Sequence, residues 1–153
     1  MAKRNKFTKE DIEFLQSFME LIDEEIEIFK GHCFEVDMDL KEIYLGSKRY
    51  DRISQYFMEH WKKEIAETPI NWCILSILHE VGHIMTNTDE LEENRQALDS
   101  MYSFMFQEGI ITENEYFTSY FDIPAERKAT EWGIEFYKKN QNLCNAIALH
   151  LKV

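Results

Sequence analysis

Pro69-Ile70-Asn71-Trp72-Cys73-Ile74-Leu75-Ser76-Ile77-Leu78-His79-Glu80-Val81-Gly82-His83-Ile84-Met85-Thr86 is the most hydrophobic stretch of the 153-residue chain, and it decides how the rest is read. The spacing predicts a helix over about 70–86, with Pro69 at its start and Asn87 at its close. Residues placed about 100° apart gather Ile70, Ile74, Ile77, Leu78, Val81, Ile84 and Met85 into one apolar stripe. His79 and His83 fall nearly opposite, beside Trp72, Ser76 and Asn87, with Glu80 on the flank. Such a helix buries one face in the body and turns the other toward a separate cleft. Gly82 sits in the helix interior, where glycine costs up to about 1 kcal/mol relative to alanine. Its presence there points to another segment packed closely against this helix.

His79-Glu80-Val81-Gly82-His83 has the pattern H-E-x-x-H. Two histidines four apart on a helix lie one above the other, so both imidazoles reach one ion. Zinc takes such nitrogens at about 2.0–2.1 Å and needs a third protein ligand, leaving one position open for water. A glutamate beside the first histidine is displaced toward that position and suits a general base. The third ligand is sought elsewhere. His32, His60 and His150 are poor candidates: His60 lies between Phe57 and Trp61 as a packing residue, and His150 lies near a fraying terminus.

A carboxylate is the better choice, and Asp122-Ile123-Pro124-Ala125-Glu126-Arg127-Lys128-Ala129-Thr130-Glu131-Trp132-Gly133 supplies it. A helix over about 124–139 places Ala125, Ala129, Trp132, Gly133 and Phe136 in its apolar sector. Glu126 projects at the edge of that sector, next to Ala129, Gly133 and Tyr137. Glu131 shares the solvent face with Arg127, Lys128, Glu135 and Lys138. An acid pointing inward beside small residues needs a cation or strong donors, so Glu126 ranks above Glu131.

Working outward, Thr8 caps an amphipathic helix over about 8–31, with the stripe Ile12, Leu15, Phe18, Met19, Ile22, Ile26 and Phe29. Cys33–Asp37 and Glu42–Gly46 alternate and read as a small hairpin or two edge strands within 33–46. Helical spacing returns from Ile53 to Ile65. An acidic helix capped by Thr88 runs to about Gln107, and a short one covers 112–121. The expectation is one α+β domain over 1–153, mostly helical, with its small sheet packed on the HExxH helix.

With 44% hydrophobic and 14% aromatic residues, the chain has the material for a core. Its 29 acidic and 17 basic residues give a formal charge of -12, which disfavours direct nucleic-acid binding and suits a basic protein partner. Cys33, Cys73 and Cys144 are odd in number and widely spaced, which is neither a disulfide framework nor a thiolate zinc site. Cys73 reads as a small core side chain. Neither a signal peptide nor a membrane span is evident, so a cytoplasmic location is expected.

The H-E-x-x-H pentapeptide followed by Glu126-Arg127-Lys128-Ala129 resembles the ImmA/IrrE family of small zinc metallopeptidases of mobile elements and bacterial stress control. In layout the likeness runs over roughly 36–136. Thr130, Trp132 and Gly133 stand where that family usually has Asn, Phe and Ala. The resemblance implies a minimal zincin-like fold, zinc on His79, His83 and Glu126, Glu80 in catalysis, and a cytosolic transcriptional repressor, a basic DNA-binding protein, as substrate. The oxyanion donor is open among Tyr116, Tyr120 and Tyr137. The alternative is an acidic phage-type module that sequesters a basic nucleic-acid-binding protein, with zinc structural or absent and the helix over 89–107 as part of its surface.

Overall fold

The computed structural model describes residues 6–153. The chain is mostly helical with one small sheet, in the order α1 (Lys9–Glu20), β1 (Glu27–Lys30), β2 (Glu35–Asp37), β3 (Glu42–Leu45), α2 (Arg52–His60), α3 (Trp72–Thr86), α4 (Asp89–Gln107), α5 (Glu113–Phe121), α6 (Pro124–Lys139) and α7 (Gln141–Leu151). The α+β expectation holds.

Thr8 caps α1 in a reciprocal box with Asp11, each backbone N–H donating to the other's side chain at 3.1 and 2.8 Å. The helix stops at Glu20, well short of the expected residue 31. The segment 20–27 crowds Glu20, Asp23, Glu24, Glu25 and Glu27 onto the negative end of the helix dipole, which disfavours further turns. Beyond it the chain follows the other periodicity it contains: Ile26 and Ile28 point inward, while Glu25 and Glu27 point out. Gln16 of α1 secures the change, donating to the Ile26 carbonyl at 2.7 Å and accepting the Ile28 N–H at 2.9 Å.

β1 thereby joins the sheet as a third strand, parallel to β3, while β2 and β3 form the expected antiparallel pair. The order β1-β3-β2 leaves β2 on the side next to α3. α2 ends at His60, and Trp61 and Ile65 are buried in the turns that follow rather than in a longer helix. The 141–151 stretch does not fray but forms α7, where His150 stacks on Phe14 at 3.7 Å and Lys48 donates to the Leu151 carbonyl. Lys48 also pairs with Asp11 at 2.6 Å, which ties α1 to α7.

α3 is the axis of the molecule. Asn71, rather than Pro69, begins it, accepting from the N–H groups of Cys73 and Ile74. Pro69 instead offers its carbonyl to the Tyr137 hydroxyl at 2.9 Å. The stripe Ile70, Ile74, Ile77, Leu78 and Val81 is buried as expected, Met85 is exposed, and Cys73 and Leu75 are buried beyond it. α6 packs along α3, and Gly82 sets their separation: a Cβ there would lie 2.2 Å from the Ala129 carbonyl oxygen. Gly133 repeats the device, with Leu78 Cβ 3.1 Å from where its own Cβ would stand. No helix among the described residues is long and apolar enough to cross a membrane.

Candidate metal centre

The close contact of α3 with α6 brings three polar side chains into the interior. His79 and His83 lie one turn apart on α3, and Glu126 stands in the first turn of α6, which opens on Pro124. All three are buried. The Nε2 atoms of the two imidazoles are 3.1 Å apart; His79 Nε2 lies 3.2 Å from Glu126 Oε1, and His83 Nε2 2.9 Å from Oε2. Ligands at 2.0–2.1 Å around a tetrahedral ion stand about 3.3 Å from one another. The observed edges of 2.9–3.2 Å are within a few tenths of that figure. His79, His83 and Glu126 therefore lie close enough together to hold a metal ion.

The buried charges follow from this proximity. Burial alone would raise the Glu126 carboxyl, but hydrogen bonds and charge from His79 and His83 outweigh it and hold the group well below the ordinary range. Burial would lower His79, yet the Glu126 hydrogen bond and the charges of Glu80 and Glu126 raise it above its usual value. For Glu80 burial is the largest influence and raises its carboxyl, against the downward pull of both histidines. Glu80 and Glu126 line the same two cavities, one of about 400 Å³ shared with His79 and one of about 150 Å³ shared with His83.

Thr130 completes the His79 environment. Its hydroxyl donates to the Glu126 carbonyl at 3.2 Å, so the 2.7 Å contact with His79 Nδ1 has the ring nitrogen as donor. That hydrogen bond leaves the lone pair of a neutral His79 on Nε2, the atom facing Glu126. The expected apolar sector of α6 omits Thr130 and includes Trp132 and Phe136. In the structure Ala125, Glu126, Ala129, Thr130, Gly133, Ile134 and Tyr137 are buried, while Trp132 and Phe136 stack at the margin. Thr130 is one turn from Glu126, and that spacing is the signal that finds it.

The three tyrosines separate. Tyr137 is engaged away from the centre, its hydroxyl on the Pro69 carbonyl and Asn145 Oδ1. Tyr116 donates to Asp99 at 3.1 Å. Tyr120 lines both cavities beside Glu80 and Glu126, and burial followed by the Glu126 charge raises its phenol, which stays protonated. Arg95 of α4 lines the smaller cavity, clamped by both oxygens of Glu92 at 2.9 and 2.6 Å. The remaining candidates lie outside: Glu131 is exposed and faces Arg127 at 3.6 Å, and His60 pairs with Asp122 at 3.0 Å. Exposed His32 lies at the wall of the larger cavity.

Beyond the smaller cavity, a wider hollow is lined by Glu35, Asp37, Asp39, Asp89 and Glu92, so the cleft is acidic on that flank. Comparison with protein-family models, curated proteins and solved structures finds no match for this chain.

Proposed function

We propose that this chain is a zinc-dependent peptidase of the small HExxH type, akin to the ImmA/IrrE enzymes, acting on a basic cytoplasmic protein. The observation that carries this reading is the buried triangle of His79, His83 and Glu126 with Glu80 next to it at the wall of an open cavity. A structural zinc site closed by four side chains has no use for an adjacent unligated carboxylate. The donor set of two imidazoles and one carboxylate is that of hydrolytic zinc, which supplies Lewis acidity and a water of pKa near 7.

The chain's own groups account for the remaining chemistry. Glu80, raised by burial, accepts a proton from the attacking water and delivers it to the departing amine. Tyr120, held protonated beside Glu126, donates a hydrogen bond to the oxygen on which negative charge develops. Thr130 fixes the tautomer of His79. The acidic flank of the cleft and the formal charge of -12 favour a positively charged segment of substrate, such as a DNA-binding repressor.

The test combines metal analysis with cleavage of a basic, unfolded protein. The parent is expected to carry stoichiometric zinc, and Glu126→Ala to lose it. Glu80→Gln is expected to keep zinc and to cut about 10²–10⁴-fold more slowly. A Glu80→Gln protein as active as the parent would remove Glu80 from the mechanism. A parent that takes up no zinc would turn the assignment to the acidic binding module.

A further inference from the structure

The larger cavity differs from the rest of the cleft in its chemistry. Starting at the metal centre, the Phe57 ring meets His79 edge-to-face at 5.5 Å, Phe121 follows at 5.3 Å from Phe57, and Phe117 stacks on Phe121 at 5.9 Å. Phe57 and Phe121 are buried and form the floor, while Phe117 is half-buried and forms a wall. The volume of about 400 Å³ falls in the range of about 300–1,000 Å³ typical of ligand sites.

The charges around this space disfavour an anion, and its outer carboxylates are already engaged. Asp51 is committed to capping α2, accepting from the backbone and hydroxyl of Ser54 at 2.8 Å. Asp99 accepts from Tyr116 and Ser103. An anion meets Glu80 and Glu126 at the inner end of the cavity, the end at which the proposed chemistry takes place. An uncharged group avoids that repulsion and covers the aromatic floor.

We propose that this cavity receives a bulky uncharged side chain of the substrate, aromatic or large aliphatic, on the residue adjoining the scissile bond. The assignment rests on the peptidase reading above. Phe57 and His79 are in ring contact, so the pocket begins within one side chain of the reacting centre, and Phe57, Phe117 and Phe121 become determinants of specificity.

The probe is a series of zinc-chelating peptide hydroxamates that differ only in the adjoining side chain: benzyl, isobutyl, methyl and carboxyethyl. Their affinities for the zinc-loaded parent are read by calorimetry. Benzyl and isobutyl are expected to bind about tenfold or more tighter than methyl and carboxyethyl. Ser76→Leu fills the cavity from α3, where the serine is half-buried and its hydroxyl donates to the Trp72 carbonyl. It is expected to bring benzyl and methyl within about twofold while zinc content is unchanged. Phe117→Ala, which removes the wall, supplies a second reading, with benzyl weakened and methyl unaffected. Equal affinity of the parent for benzyl and methyl would overturn the pocket and leave the metal centre standing. So would a preference that survives both variants. Failure of every hydroxamate to bind would overturn the metal reading and the pocket together.

Discussion

Two consecutive helices, separated only by Asn87 and Thr88, treat their side chains in opposite ways. α3 buries every residue from Cys73 to His83 except Ser76, including two histidines and a glutamate. α4 is four residues longer and buries none, although it carries Met101, Phe104 and Phe106, all exposed. Hydropathy alone would not have ordered these side chains in this way. Burying the two histidines is tolerable because Glu126 and Thr130 on α6 satisfy them, while Glu80 opens onto the two cavities. α4 rests against α5 and α6 from the outside and owes its form to its own caps and i,i+3 pairs, such as Arg95 with Glu92. The lesson is that one wall of the cleft is part of the core and the other is an attached, locally less stable element.

The largest effect should come from Gly82→Ala. In an ordinary helix this change gains up to about 1 kcal/mol. Here the new methyl meets the Ala129 carbonyl, a backbone atom that cannot swing aside. Overpacking of about 1–3 kcal/mol wins, and separation of α3 from α6 draws Glu126 away from the histidines. Denaturant unfolding should show net destabilisation, and metal analysis a loss of zinc; a stabilised variant with full zinc would break the contrast between the helices.

Thr130→Val keeps the shape and removes the hydroxyl that orients His79. Zinc affinity should fall about 10–100-fold, measured by chelator competition, with the fold intact.

Metal binding should also depend on pH. Glu126 is held below its ordinary 4.5, so in the metal-free protein its contribution to stability is present above 4.5 and lost as pH falls through its folded-state value. His79 is held above 6.5, so its contribution is complete below 6.5 and lost as pH rises through its folded-state value. The metal-free pair thus supports the fold best between 4.5 and 6.5. Zinc requires His79 neutral and should bind more tightly above that window, with protons released. Calorimetry in buffers of different ionisation enthalpy reads those protons directly; zinc binding without proton release below pH 7 would contradict the pairing.

The smallest effect belongs to α4. Phe104→Ala, at a position 58% exposed, should change unfolding free energy by no more than about 0.5 kcal/mol. A cost of 2 kcal/mol or more would show that α4 is as deeply integrated as α3.

Much of this was legible before any coordinates. The i,i+4 histidines, the inward-facing Glu126 and the close approach at Gly82 each follow from helix geometry and from the cost of misplacing a polar or glycine residue. The extent of α1 was not legible, because Ile22, Ile26 and Phe29 fit a helical period while Ile26 and Ile28 fit a strand. The arbiter was Gln16, whose amide acts at a distance of ten to twelve residues. Thr130 was hidden by its neighbour Glu131 and by the apolar weight of Trp132 and Phe136, which sit at the margin of the packed face. The choice of Tyr120 among three tyrosines required knowing where α5 lies relative to α6, which no local pattern encodes.

The amide of Gln16 has one more consequence. By presenting both a donor and an acceptor to β1, it imitates a neighbouring strand and leaves that border of the sheet with less to offer another chain. Self-association through β1 is thereby discouraged by a single side chain. The sheet's other border, β2, lies beside α3 and contributes Val36 to the smaller cavity. The border of the sheet that Gln16 does not occupy is therefore the one beside His83 and Glu126.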